Sequence, residues 1–299
     1  MTVITPPRTD AEVKGYIEAL GLPGLIDMHV HFMPHNVLEK VWHFFDHVHE
    51  EPGRDPWPVK YKGSEEERIQ HLRDMGVTAF PSLNYAHKPA MAAWLNEFSA
   101  TFAKEHPDAI HSATFYPEPG VTELVEKVLH DGAAIFKVHV QVGNFTVLDP
   151  LLKDAWRLIE AAKVPVIIHC GNGPHRGKYT GIEPIRELVG QFPELVLVIA
   201  HCGLPDYSDF GQLALENPNV YLDTTMVGTS FVEKMAPVPE DYLELMAKLK
   251  DKVVLGTDYP NIPYDYAHQI EALHNWGLGE EWMRNVLWNT PKGLLKLDQ

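Results

Sequence analysis

Two stretches decide the fold: Pro165-Val166-Ile167-Ile168-His169-Cys170-Gly171, and one helix-length later Leu195-Val196-Leu197-Val198-Ile199-Ala200-His201-Cys202-Gly203. Each is a short β-branched run that ends in a histidine and a glycine, too short for an independent helix. A helical pattern separates them. Strands of a parallel sheet are covered on both faces, so they read as continuous apolar runs, and this pair reads as a βαβ unit. Working outward, six more such runs appear: Gly24 to Phe32, Val77 to Asn84, His111 to Glu118, Ala133 to Gln141, Val220 to Thr225 and Val253 to Pro260.

Helix signals fill the gaps. Ser64 followed by Glu67 is a capping box opening a helix to Met75, stopped by Gly76. Asp149-Pro150 supplies an N-cap and a first-turn proline for a helix to Lys163. Pro89 opens a helix through Lys104, Thr122 one that Gly132 closes, and the first 23 residues hold a short helix. After the eighth strand, Tyr266 to Asn275 and Glu280 to Leu295 predict closing helices, with Pro291 breaking the second. Eight strands each followed by a helix predict an α/β fold, a (β/α)8 barrel in preference to an open doubly wound sheet, built as one domain over residues 1–299. The irregular stretch Met33 to Gly63, with Trp42, Phe44, Phe45, Arg54 and Trp57, reads as an insertion after strand one, over the barrel mouth.

Composition narrows the function. Lys plus Arg number 25 against 41 Asp plus Glu, a net charge of −16, and no basic run offers a patch for nucleic acid or an anionic membrane. No apolar stretch approaches the 18 or so residues a bilayer span needs. The amino terminus has no signal-peptide pattern, and two cysteines suit a reducing compartment, so a cytoplasmic protein acting on a small molecule is expected, with a homo-oligomer left open. Seventeen histidines direct attention to metal chemistry.

In a barrel the functional face lies at the C-terminal ends of the strands. Strand one ends Ile26-Asp27-Met28-His29-Val30-His31, where alternation puts both histidines on one face. Strand five ends at His169, strand six at His201, strand eight at Asp258, and strand four carries Lys137 and His139 two residues apart. Any one is ordinary; together they point to a metal site.

These residues resemble the amidohydrolase superfamily, in particular its amidohydrolase-2 branch of metal-dependent barrel hydrolases and decarboxylases. The motifs that carry the likeness are Ile26 to His31, His169-Cys170-Gly171, Ala200-His201-Cys202-Gly203 and Leu255-Gly256-Thr257-Asp258-Tyr259-Pro260, spread over nearly the whole chain. The resemblance implies that His29, His31, His169 and Asp258 bind a divalent metal, usually zinc, and that His201 assists catalysis. Lys137 matches the position of a carboxylated lysine in members with two ions.

The implied chemistry is hydrolysis of an amide, lactone or other ester by hydroxide generated on the metal, with Asp258 carrying the proton and His201 polarising the scissile group. The alternative is non-oxidative decarboxylation of a small carboxylic acid, aromatic acids included; decarboxylases of the branch generally lack the strand-four lysine, which favours hydrolysis. Asp27 is either the acceptor that orients a ligand imidazole or the cap of its own turn. Arg54, Arg176 and His139 are candidates for substrate contact. His35, His43, His47 and His49 read as solvated loop residues, Cys170 and Cys202 as packing thiols facing away from the barrel interior, and the insertion aromatics as packing.

Overall fold

The computed structural model describes residues 4–51 and 54–297. Nine short strands occupy the eight predicted positions: β1 (Leu25–Ile26), β2 (Val77–Pro81), β3 (Ala109–Ile110), β4 (Ser112–Ala113), β5 (Ile135–His139), β6 (Val166–His169), β7 (Leu197–Ile199), β8 (Val220–Asp223) and β9 (Val253–Val254). All pair in parallel, in the orders β1-β2-β3 and β4 through β9. β3 and β4 are two pieces of the predicted third strand, which starts two residues early and is interrupted at His111. The ring closes where Val30 bridges Tyr259, with Met28 N–H on Leu255 O at 2.9 Å and His31 N–H on Tyr259 O at 2.7 Å. This is a (β/α)8 barrel.

Side-chain parity divides the core into two layers. Ile135, Ile167 and Val198 meet Ile26, Met28, Ala79 and Val254 inside the ring, a floor completed by Leu295 of the last helix. Their neighbours Phe136, Val166, Ile168, Leu197 and Ile199 belong to the larger layer between strands and helices. With a period of two, the next inward residues after Ile135 and Ile167 are Lys137 and His169, so polar groups stand on an apolar floor.

The local signals act much as their chemistry requires. Ser64 Oγ accepts Glu67 N–H at 3.2 Å while Glu67 Oε2 accepts Ser64 N–H at 2.8 Å, opening the helix Glu65–Asp74. Asp149 accepts Leu151 N–H at 3.0 Å at the head of a 3-10 turn that runs into the helix Lys153–Ala162. Two expectations need correction. The helix expected from Pro89 starts at Ala92, because Ala90 adopts φ +61° and the preceding residues form a turn. Pro291 does not break the final segment: Glu280–Arg284 passes through a π-helical turn, Asn285–Asn289, into Thr290–Leu295, and the wider turn just ahead of the proline lets the helical path continue.

The segment after strand one holds a helix, His35–His47, and a 3-10 turn, Val48–Glu50. It is tied to the loop after β9, with Trp42 Nε1 donating to Asn261 Oδ1 at 3.1 Å and Trp57 Nε1 to Asn261 O at 2.7 Å. Phe45 stacks on Trp57 at 4.9 Å, while Phe44 is exposed. Among the described residues no helix is long and apolar enough to cross a membrane.

Candidate metal centre

His29 and His31 are buried at the end of the first strand, their ring centroids 5.1 Å apart. His29 Nδ1 lies 2.5 Å from Asp223 Oδ2, and His31 Nδ1 lies 2.8 Å from the Leu83 carbonyl. Each imidazole therefore gives its Nδ1–H to a fixed acceptor and turns Nε2 inward. There the two Nε2 atoms meet Asp258 Oδ1 at 3.3 and 2.9 Å, and Lys137 Nζ stands 2.8 Å from His29 Nε2.

Two residues reach this point through unusual backbone. Ala200 packs in the barrel floor, so strict alternation would send His201 outward. Left-handed conformations at His201 (φ +54°) and Cys202 (φ +51°) reset the alternation, leaving His201 buried with its ring 5.3 Å from that of His29 and Cys202 in the outer layer. Asp258 is left-handed too, at φ +69°. Such conformations cost a non-glycine residue about 1–3 kcal/mol and persist where the surroundings over-determine them. Gly256 has a steric reason: a Cβ there would lie 2.2 Å from Asp223 Oδ1 and 2.7 Å from His29 Cβ.

His29, His201 and Asp258 each present a donor atom, all within 4.8 Å of one another. His31 joins this group through Asp258. His169 stands at its side, its ring 4.7 Å from His201 and stacked on His139 at 3.9 Å, while its Nε2 points to Gly173 O at 3.2 Å. His139 accepts Val142 N–H on Nδ1 at 3.3 Å. Arg54 pairs with Glu51 at 2.8 Å in the insertion, and Arg176 is exposed on the loop after β6. Among the described residues neither arginine hydrogen-bonds to the histidines.

Burial sets the electrostatics. It pulls His29 down to about 4, with the neighbouring Lys137 charge adding to the effect. His139, His169 and His201 are lowered by the same cause. Burial would raise Asp258, but His29, His31 and His201 outweigh it and hold the carboxyl well below the usual range. Lys137 is lowered by burial to about 8, despite Asp258 and Asp223. Neutral imidazoles and a carboxylate are the protonation states that ligation requires, while Lys137 remains mostly an ammonium at pH 7.

Of the two roles open to Asp27, the structure shows the cap. Its Oδ1 accepts His29 N–H at 3.0 Å, and its Oδ2 accepts Thr257 Oγ1 at 2.6 Å and Tyr266 OH at 2.9 Å. The residue on the imidazole is Asp223, which sequence reasoning missed although it ends β8 by the same strand-end rule that selected the histidines. Tyr85, after β2, was missed too; its ring lies 6.0 Å from His31 and 5.0 Å from His139. His35, His43, His47 and His49 are exposed. Cys170 and Cys202 are buried, unpaired and part of the outer core, and burial pushes both thiols up.

A family model described as amidohydrolase, the amidohydrolase-2 type, matches residues 26–297, so the chain belongs to that family. A comparison with curated proteins finds no match. Among solved structures, the chain is similar to an uncharacterised TIM-barrel protein of Bordetella bronchiseptica, with a TM-score of 0.72 and 20% identity over 91% of this chain and 98% of that one. It is also similar to 5-carboxyvanillate decarboxylase of Sphingomonas paucimobilis (TM-score 0.61, 16% identity, 92% and 99% covered). A third is a probable 2-pyrone-4,6-dicarboxylic acid hydrolase of Acinetobacter baumannii (TM-score 0.62, 16% identity, 91% and 99% covered). At these identities the likeness shows the fold. With the family it makes the chain an enzyme.

Proposed function

We propose that this amidohydrolase-family enzyme is a metal-dependent hydrolase that cleaves an amide, lactone or other ester bond of a small organic substrate. The observation that carries the reading is Lys137, whose buried amine stands 2.8 Å from His29 Nε2 at the heart of the histidine group. The donor set fits a divalent ion, because Asp223 and Leu83 O hold the Nδ1 atoms and leave inward Nε2 atoms beside an ionised carboxylate. His29, His31, His169 and Asp258 are the residues proposed to hold it, with His201 close enough to take a ligand position. Zinc is the ion proposed, on the family resemblance, since imidazole and carboxylate donors suit several divalent metals; when bound it supplies Lewis acidity and brings the pKa of water to about 7.

The chain's own residues do the rest. Asp258 takes the proton of the attacking water and returns it to the leaving group. His201, whose Nδ1–H is held by Thr225 O at 3.1 Å, presents a bare Nε2 that accepts a hydrogen bond from the attacking water and orients it. Lys137 serves either as a carboxylated bridge between two ions or as an amine on the substrate. His139, stacked on His169, and the loop residues Arg54 and Arg176 are proposed to contact the substrate. The unpaired buried cysteines suit the cytoplasmic location proposed for it.

Decarboxylation is the second reading, favoured by Lys137 in its other state. An ammonium inside the barrel is a partner for a substrate carboxylate, and one of the similar structures bears a decarboxylase name. Metal-quantified enzyme, a panel of lactones, amides and aromatic acids, and ¹⁸O-labelled water separate the two. Hydrolysis places ¹⁸O in a new product carboxylate; released CO₂ with no label in the other product overturns it.

A further inference from the structure

We propose that a cavity outside the barrel, between the helices His35–His47 and Glu65–Asp74, binds a small oxyanion, a carboxylate or a phosphate, on the edge of the Arg68 guanidinium. The cavity encloses about 300 Å³ and is lined by Met33, Trp42, Lys62, Ser64, Glu65 and Arg68, among others. It is separate from the histidine group. Arg68 lies on Phe32, which belongs to the layer outside the strands, whereas His31, the preceding residue, faces the interior.

The arginine is built in rather than draped over the surface. It is 6% exposed, and its guanidinium carbon sits 5.3 Å from the Phe32 ring centroid and 5.4 Å from that of Trp42. Nε donates to Ser64 O at 3.2 Å, while Nη1 is buried and has no hydrogen-bond partner among the described residues. A desolvated guanidinium with an unused edge is costly, and the group that satisfies such an edge best is an oxyanion taking parallel N–H···O bonds. Burial lowers the Arg68 pKa, outweighing the nearby Glu65 and Glu66 carboxylates.

The surroundings add modest attraction and the opposing charges of Glu65 and Glu66. The helix that starts at Glu65 turns its positive end toward the cavity, and its capping box occupies the amides of Ser64 and Glu67 only. Lys62 reaches the rim but is held by Asp46 at 2.5 Å. Glu65, which lines the cavity, opposes an anion there. A single carboxylate or phosphate fits this balance better than a polyanion.

Calorimetric titration of the full chain with inorganic phosphate and, separately, with succinate, in Tris chloride free of other oxyanions, tests the proposal. Saturable binding of either ion is expected, and which one binds identifies the source of the oxyanion. Arg68→Gln should weaken it by about tenfold or more, and Glu65→Gln, which leaves the arginine in place, should tighten it by about threefold. No binding up to about 10 mM overturns the site, as does an affinity unchanged in Glu65→Gln, the deciding variant if Arg68→Gln fails to fold. Binding lost in Lys137→Met but kept in Arg68→Gln places the ion in the barrel and overturns it too.

Discussion

Replacing Asp223 by asparagine should damage metal affinity without touching a residue proposed to hold the ion. Asp223 is fully buried and its Oδ2 lies 2.5 Å from His29 Nδ1, so the carboxylate demands a proton on Nδ1 and leaves Nε2 bare. Oδ1 meanwhile accepts Thr225 N–H at 2.7 Å and the Thr225 hydroxyl, which fixes the plane of the carboxylate. In Asp223→Asn the amide oxygen keeps the Thr225 bonds, and the amide nitrogen, a donor, faces Nδ1. His29 must then shift its proton to Nε2, the atom turned toward Asp258. Loss of such an orienting partner weakens metal binding by about 10- to 100-fold, or about 1.4–2.7 kcal/mol. Chelator competition measures the dissociation constant, and circular dichroism of the metal-free variant confirms that it is folded. A folded variant with wild-type affinity would refute the tautomer argument and with it the assignment of His29 Nε2 as a donor.

Other perturbations probe the same architecture. His201→Ala should keep its metal and lose about 10²- to 10⁴-fold in turnover; loss of the ion instead would make His201 a ligand, which its place with His29 and Asp258 also allows. Gly256→Ala should lower stability by about 1–3 kcal/mol in thermal unfolding, because the new methyl meets Asp223 Oδ1 at 2.2 Å, and an unchanged Tm would show that β9 can shift. Asp10 takes hydrogen bonds from Tyr61, Ala267 and His71, which together outweigh burial and hold its carboxyl below the usual 3.8. Its contribution is therefore full above the unfolded value and is lost as pH falls through the folded one, so Asp10→Asn should cost about 1–3 kcal/mol at pH 7 and progressively less on acidification below about pH 4. A deficit that does not shrink in acid would contradict this.

Much of the fold was legible because its causes are local. A β-branched run such as Val166–His169 has too few residues for a helix, and the stop signal at Gly76 and caps at Ser64 and Asp149 act through atoms within four residues. Where structure departs from the local signal, tertiary context outweighs propensity: Pro291 predicts a break, yet a π-helical turn ahead of it lets the segment continue and seat Leu295 under the barrel. The candidate site was legible only as strand-end histidines, Lys137 and Asp258.

The chain alone determined which side chains stand at the strand ends, because period-two alternation and the apolar floor leave residues such as Lys137 and His169 one inward position to take. Only the tertiary structure decided how they face one another. Asp223, at the end of β8, and His29, just after β1, are 194 residues apart and meet because ring closure sets β1 beside β9, the neighbour of β8. His201 turns inward through a left-handed backbone that an alanine–histidine–cysteine sequence does not announce. An imidazole's tautomer and direction are set by whichever acceptor reaches its other nitrogen, and that acceptor comes from across the barrel, where no local pattern records it.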